Sequence, residues 1–256
     1  MGVVVTDAVV RDLAAFGPFF TVETHTPGSL PVEPWHVMSE LVDDPKVLMD
    51  RVVAVRAALA AAGGQAPGAV ELRVAASVAH LGLVARLLSP ALAVAVTSGV
   101  LLEVDLPGTR WQRMLGGAFP LSLPRDTGPD ARDYEGDPDP ARVAGLLASR
   151  VLDGPIRDLV EVTLPLSVSR HVLWGNVASA VNGAASMIAT CRPAWADRSS
   201  VIASLLLEQQ PLRDTSSGSV GVGFRRRSCC LIYRAAPAAA GAVCGDCVLS
   251  RRDPHS

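Results

Sequence analysis

The stretch FRRRSCCLIYRAAPAAAGAVCGDCVLSRR, Phe224–Arg252, holds four of the five cysteines of this 256-residue chain. Two of these thiols are adjacent, at Cys229 and Cys230, and two more form a C-x-x-C motif, at Cys244 and Cys247. Binding residues are found disproportionately on loops that a rigid scaffold positions. The stretch therefore predicts a loop-rich carboxy-terminal site, with the remainder of the chain as its scaffold.

Four thiolates at one place suit zinc or an iron–sulfur cluster. Structural zinc usually takes two loops, each with ligands about two to four residues apart. Cys244 and Cys247 fit that spacing, but the side chains of the adjacent Cys229 and Cys230 should point apart. A [2Fe–2S] cluster is wider and needs two thiolates at each iron, so it tolerates this spacing better. The spacing favours the cluster and leaves zinc and redox-active thiols as alternatives.

The composition limits the class of protein. A net charge of -2 and an aromatic content of 4% argue against general nucleic-acid binding. The start of the chain lacks the pattern of a secretory signal. The most apolar region, residues 81–104, contains Arg86 and Pro90, whereas a membrane-spanning helix needs about 20 apolar residues. We predict a cytoplasmic protein and leave open a peripheral contact with the inner face of the membrane.

Hydrophobic periodicity predicts mostly helices. Helices are expected at residues 44–62, 68–88 and 90–98, and from Pro140 to about residue 210. Strands are expected at residues 19–24, 100–105 and 219–224. The predicted fold class is α+β, predominantly helical, with a few short strands and a loop-rich carboxy-terminal site.

Residues 125–140, RDTGPDARDYEGDPDP, are acidic and rich in proline and glycine, with little to bury. This composition predicts a solvated loop. The loop separates an amino-terminal part, residues 1–124, from a helical part, residues 141–256, which carries the cysteine motif at 224–252. We expect the two parts to pack as one unit, because the second part alone has a limited core.

The sequence contains no G-x-G-x-x-G motif, no P-loop, no G-x-S-x-G motif and no H-E-x-x-H motif. With no flavin or nicotinamide signature, a redox reaction in this chain would need a separate electron donor.

Three stretches together carry a resemblance to a known family. The first is the cysteine segment, with RRSCC, then YR, a stretch of proline and small residues, and CGDC. The others are SRHVLWGNVASAVNGA, Ser169–Ala184, and HLGLVARLLSPAL, His80–Leu92. They resemble the FhuF-like ferric-siderophore reductases, over about residues 70–252. One departure is the spacer between Cys230 and Cys244, which is longer than is common in that family.

The resemblance implies a [2Fe–2S] cluster bound by four ligands, Cys229, Cys230, Cys244 and Cys247. It implies a reductase that passes one electron to Fe(III) held by a siderophore and releases Fe(II) in the cytosol. The oxygen donors of siderophores hold Fe(III) far better than Fe(II), so one electron weakens the complex. The partners would be the ferric siderophore and an external donor such as a ferredoxin or a flavin reductase. No acid, base or nucleophile beyond the cluster is expected.

Five residues near these motifs are candidates for binding the substrate: Arg226, Arg227, Arg170, Trp174 and Asn176. Arginines beside the cysteines would create a positive field that attracts an anionic chelate or an acidic donor. The alternative is a solvated rim whose charges pair with acids elsewhere in the fold.

The helix around Trp174 also carries a repeat of small residues. Gly175, Ser179 and Gly183 recur every four residues, so another stretch of backbone can approach that face closely. Packing is the default interpretation of this pattern.

Two other functions stay open at this stage. One is a non-enzymatic iron–sulfur electron carrier or sensor, and the other is a binding protein stapled by zinc. The fifth cysteine, Cys191, stands alone, and we expect it to be a buried, inert thiol.

Overall fold

A computed structural model describes residues 2–3, 5–116, 118–125, 139–237 and 243–249. The α-helices are α1 (Asp7–Ala14), α2 (Glu40–Asp43), α3 (Pro45–Ala62), α4 (Leu72–Ser98), α5 (Pro140–Leu147), α6 (Arg157–Thr163), α7 (Arg170–Cys191) and α8 (Ala196–Leu207). The strands are β1 (Gly2–Val3), β2 (Glu23–His25), β3 (Trp35–Val37), β4 (Leu101–Leu102), β5 (Arg110–Gln112), β6 (Leu121–Pro124), β7 (Ser216–Ser217) and β8 (Arg225–Arg226). A π-helical segment, Ala148–Ile156, joins α5 to α6.

The helix starts follow the capping residues of the sequence. The Asp44 carboxylate accepts a hydrogen bond from the Lys46 amide at 2.9 Å, with Pro45 at the first position of α3. The same arrangement of aspartate followed by proline begins α5 at Asp139. Ser169 caps α7 by accepting from the Val172 amide. These starts confirm the predictions for α3 and α5, because a cap side chain satisfies an amide that has no partner within the helix.

Helix α4 differs from the prediction. Two helices divided at Pro90 were expected, but one helix of 27 residues passes through Pro90. Proline removes one backbone hydrogen bond, which usually breaks or kinks a helix. Here most of the side chains on either side of Pro90 are buried in the core, and the Ser89 hydroxyl donates to the Ala85 carbonyl at 2.7 Å. Tertiary packing around α4 outweighs the local cost of the proline.

The strands are shorter than predicted and only partly overlap the expected ranges. Residues 23–24 of the expected strand at 19–24 belong to β2, and β4 lies within the expected strand at 100–105. Residues 219–224 form turns between β7 and β8. A four-stranded sheet has the order β2-β6-β5-β3. Strand β2 pairs parallel to β6, whereas β5 pairs antiparallel to both β6 and β3. Partners so distant in the chain leave no local signal in the sequence, which explains the misplaced boundaries.

Arg86 joins the loops near this sheet to α4. Its guanidinium is 1% exposed and donates to the carbonyl oxygens of Phe19 and Phe119, both at 2.8 Å, and to that of Thr21. Burial lowers its pKa to about 10, so the side chain stays charged at neutral pH. A buried cation is acceptable here because its donors find carbonyl acceptors.

A single cluster of buried apolar side chains runs from Val5 to Phe224 and takes residues from both sides of the acidic loop. Helix α7 packs along α4, and α8 packs on α7 and α5. The observed architecture confirms the predicted fold class. The predicted loop falls largely at residues 126–138, outside the described residues, and the division into parts stays a prediction.

Helix α4 is long and apolar enough to cross a membrane, judged by length and composition alone. However, 78% of its most apolar window is buried inside the fold. Burial to this extent is typical of the central helix of a helical core.

Candidate metal centre

The four cysteines come together from two short segments. Cys229 and Cys230 follow β8, and Cys244 and Cys247 bound a tight turn in which the Cys247 amide donates to the Cys244 carbonyl at 3.1 Å. The sulfur atoms of Cys230 and Cys244 lie 3.4 Å apart. The adjacent pair and the C-x-x-C therefore meet across the site, as the sequence required.

Backbone amides point at two of the sulfurs. The Leu231 amide donates to Cys229 Sγ and the Leu249 amide to Cys247 Sγ, both at 3.3 Å. Leu231 has a φ of 70°, a left-handed conformation that is uncommon for a branched apolar residue. This sharp turn follows the cysteine pair directly and carries the amide that bonds to Cys229. Hydrogen bonds of this kind favour thiolates and tune the potential of iron–sulfur centres.

The site is half enclosed. Cys230 and Cys247 are 3% and 4% exposed, whereas Cys229 and Cys244 are partly exposed. One side of the sulfur group therefore rests on the protein interior and the other side approaches the surface. This placement allows electron exchange with a molecule outside the fold.

Arg226 lies behind the sulfurs as a buried cation. Its guanidinium is 1% exposed, and Nη2 donates to Asn176 Oδ1 at 2.6 Å and to the Val172 carbonyl at 3.3 Å. Burial lowers the pKa of Arg226, while the charges of Cys230, Cys244, Asp246 and Cys229 oppose that change. Within the described part of the chain, Nε and Nη1 are buried and have no hydrogen-bond partner.

Helices α4 and α7 hold the cysteine segments in place. The Ser77 hydroxyl of α4 donates to the Cys230 carbonyl at 2.9 Å, and Asn176 donates to both the carbonyl and the hydroxyl of Ser77. On α7, the Ser179 hydroxyl donates to the Asp246 carboxylate. Each cysteine segment is thus hydrogen-bonded to a helix by a serine that lies far from the cysteines in the sequence, Ser77 in α4 and Ser179 in α7.

The close approach that the four-residue repeat on α7 predicted is found at Gly175 and Ser179 but not at Gly183. A Cβ atom added at Gly175 would overlap the Ser228 hydroxyl and approach Arg226 Nη2 to 3.3 Å. Only glycine at this position lets β8 and the following loop lie so close to the helix. Ser179 bonds to Asp246, whereas Gly183 has nothing within 4 Å of an added Cβ and borders open space.

The protonation of the thiols depends on their contacts. The hydrogen bond shared with Cys244 lowers the pKa of Cys230, and it raises the pKa of Cys244. Burial raises the pKa of Cys229, although the Leu231 amide and Arg226 act in the opposite direction. Because metal ligands must be deprotonated, a bound metal would displace any proton that these thiols keep.

The donor set fits a [2Fe–2S] cluster better than a single ion. Among the described residues, no three cysteine, histidine or carboxylate side chains converge on one ion-sized point. Cys230 and Cys244 lie 3.4 Å apart, and with Cys229 and Cys247 they would supply the four thiolates that a [2Fe–2S] cluster needs. An anionic group of iron and sulfur would find hydrogen-bond donors and positive charge at Arg226, whose Nε and Nη1 have no partner within the described residues.

The other predicted site residues are dispersed. Arg170 is exposed and forms a two-pronged ion pair with Glu161, and Arg227 is exposed with Nε donating to the Ser216 carbonyl at 3.0 Å. Trp174 is 4% exposed and lies in the core. Asn176 and Arg226 are also buried, behind the cysteines. Substrate binding by these five residues stays a prediction. Three of them, Trp174, Asn176 and Arg226, lie inside the protein rather than at its surface.

Cys191 is not buried. It ends α7 with an exposed side chain, and its sulfur lies 3.9 Å from the Phe16 carbonyl. The expectation of burial was wrong because apolar neighbours along the chain do not report which face of a helix end is covered.

Sequence reasoning missed several residues of this centre. Ser77, His80 and Ser228 reach the cysteine segments or their supports only through the tertiary fold. The repeat on α7 predicted close packing at Ser179 but not its hydrogen bond to Asp246. A serine inside an apolar helix is a weak signal for a buried hydrogen bond. Ser89, the serine in HLGLVARLLSPAL, shows how weak this signal is, because its hydroxyl donates to a carbonyl of its own helix.

Comparison with known proteins identifies the cysteine segment. The sequence model of the FhuF 2Fe-2S C-terminal domain matches residues 226–249, which contain all four cysteines of the centre. No curated protein and no solved structure matches the chain. The match confirms the resemblance at this segment and the prediction of a [2Fe–2S] cofactor. The likeness expected at His80–Leu92 and Ser169–Ala184 lies outside the matched residues and stays a prediction.

Proposed function

We propose that this chain, which carries an iron–sulfur protein domain of the FhuF type, is a cytoplasmic ferric-siderophore reductase. An external donor, such as a ferredoxin or a flavin reductase, supplies one electron, and the chain passes it to Fe(III) held by a siderophore. Fe(III) becomes Fe(II), which the chelate binds weakly and releases. The [2Fe–2S] cluster supplies the one-electron chemistry when bound.

The observation that supports this proposal is a cavity that reaches the turn between Cys244 and Cys247 through Asp246. It has a volume of about 660 Å³ and opens between α3, α4 and α7. Its wall is mainly apolar and includes Phe19, Leu59, Leu81 and Met187. At one end lies Asp246, which stands between Cys244 and Cys247 in the tight turn. A chelate in this cavity would touch the same turn that holds two of the ligands.

The chain's own residues then have simple tasks. Ser179 holds the Asp246 carboxylate at the cavity end, and Arg51 lines the wall with its guanidinium over the rings of Trp111 and Phe119. The walls exclude water from much of the bound chelate. Both charged residues of the described lining are engaged with other groups of the protein, so the cavity favours a chelate of low net charge.

The direct test is a single-turnover reaction. The protein is reduced anaerobically, freed of excess reductant and mixed with ferric chelates of the hydroxamate, carboxylate and catecholate types. We expect the visible spectrum of the oxidised protein to return while a chromogenic trap records one Fe(II) per cluster. A protein that stays reduced with every chelate would instead be an electron carrier or a sensor.

The cavity is tested separately with Gly183→Leu. An added side chain at Gly183 enters open space, so it should fill the cavity and leave the packing of α7 intact. We expect KM for the chelate to rise about tenfold or more, since about 1.4 kcal/mol of lost binding gives a factor of ten. Gly145→Leu on α5, also in open space, is the matched control and should leave KM unchanged. Equal KM values in both variants would remove the cavity from the proposal.

A further inference from the structure

The guanidinium of Arg226 has a combination of properties that packing alone does not require. It is 1% exposed, it carries a full positive charge, and two of its three nitrogens have no partner within the described residues. Leaving a buried charged donor without a hydrogen-bond partner is energetically costly. The groups whose charge would act on it are the thiols of Cys230, Cys244 and Cys229 when ionised, and the Asp246 carboxylate.

The third nitrogen and the backbone fix where the side chain lies. Nη2 is held by Asn176 and the Val172 carbonyl of α7, and the Arg226 amide donates to the Asp246 carbonyl at 3.1 Å. Asn176 is in turn held by Ser77 and by His80, whose Nδ1 lies 3.4 Å from the Asn176 amide nitrogen. The cation is thus clamped from its protein side, and its two remaining N–H groups are left for the site.

We propose that Arg226 is a positioning residue that donates Nε and Nη1 hydrogen bonds to the sulfur atoms of the cluster and raises its reduction potential. Reduction adds one negative charge to the cluster. A fixed cation in a poorly solvated place stabilises the reduced form more than the oxidised form, and hydrogen bonds to sulfur act in the same direction. This inference rests on the [2Fe–2S] cofactor and holds whether or not a siderophore is the substrate.

The test measures the midpoint potential of the holoprotein by dye-mediated titration, with iron and sulfide counted in each sample. Arg226→Met keeps much of the volume and removes the charge and donors, so we expect a more negative potential. Arg226→Lys keeps the charge but loses the planar fork, so we expect a smaller shift in the same direction. Arg227→Met is the matched control, because that side chain is exposed, and its potential should equal that of the wild type.

Ionic strength separates the buried cation from surface charge. The shift in Arg226→Met should persist at high salt, since buried charges are screened much less than exposed ones. If Arg226→Met loses the cluster while Arg226→Lys keeps it at a lowered potential, the same role is supported. If neither variant holds the cluster, Asn176→Ala decides, because it frees the guanidinium without removing it and should lower the potential.

The outcome that overturns the proposal is equally definite. An Arg226→Met protein with full iron and sulfide and the wild-type potential would leave Arg226 a packing role only, even if its unfolding temperature fell. If neither Arg226 variant holds the cluster, an unchanged potential in Asn176→Ala would also leave Arg226 a packing role only.

Discussion

At the scale of single residues, the cysteines divide into four inside the matched segment, which we expect to bind the cluster, and one outside it. We expect Cys244→Ser to lose the cluster, because Cys244 lies 3.4 Å from Cys230 and belongs to the domain match. Cys191→Ser should keep it, since Cys191 is exposed and ends α7 outside the matched segment. Iron, sulfide and the visible spectrum check both variants. An unchanged spectrum in Cys244→Ser would remove this cysteine from the ligand set.

His80 gives a prediction about acid stability. Burial and the nearby charge of Arg226 lower its pKa to about 3, so the folded protein keeps this imidazole neutral at mildly acid pH. The unfolded chain takes up the proton near the ordinary pKa of 6.5, and stability therefore falls as pH drops below that value. One proton gives about 2 kcal/mol between pH 8 and pH 5.

The measurement is the unfolding temperature of wild type and His80→Gln at several pH values. We expect the wild type to lose more stability on acidification than the variant, whatever their difference at pH 8. Parallel curves for the two proteins would mean that His80 is not buried in its neutral form.

The spacing of the cysteines was enough to predict the cofactor, but it did not distinguish the buried arginine beside them. Three arginines stand in a row at 225–227, and the sequence has no feature that distinguishes them. In the structure Arg225 and Arg226 form β8, where Arg225 is partly buried and Arg226 is fully buried, and Arg227 directly after the strand is exposed. That outcome depends on the register of β8 against β7 and on the approach of α7, which are tertiary properties.

At the scale of elements, the contact of α7 with the cysteine segment can be tested by two glycines on one helix. Gly175→Ala should destabilise the protein by about 1–3 kcal/mol, because the new methyl group overlaps the Ser228 hydroxyl. Gly183→Ala should stabilise it by up to about 1 kcal/mol, because its methyl group meets open space and alanine favours helix.

Thermal unfolding and cluster content would report both changes. We expect Gly175→Ala to bind less cluster, since the shift of Ser228 moves the neighbouring Cys229, while Gly183→Ala stays fully loaded. If the two variants have the same stability, the close approach at Gly175 does not carry the packing of this element.

Helices were easier to predict than strands for a physical reason. The caps of α3 and α5 are local, since each depends on an aspartate and the next two residues. The continuation of α4 through Pro90 depends on its neighbours, and the pairing of β2 with β6 joins residues about a hundred positions apart. Such contacts cannot be found from a window of sequence.

At the scale of the whole molecule, the shared core predicts cooperative unfolding. Helix α4 of the amino-terminal part packs along α7 of the carboxy-terminal part, and α5 and α8 complete the same cluster. We expect one unfolding transition, with circular dichroism and tryptophan fluorescence giving the same midpoint. The fragment 141–256 should not fold alone, because it would expose the buried side of α7. Two separate transitions, or a folded fragment, would show that the parts are independent.

The cysteine segment rests on α4 and α7, and both helices precede it in the chain. At about 5–20 residues per second, a ribosome adds Cys247 roughly 3 to 11 seconds after it completes α7. The two helices that support the site are thus translated before the cysteines that we expect to bind the cluster. Insertion of iron and sulfide would then be the last step of maturation, and a shortage of either should leave protein without its cluster.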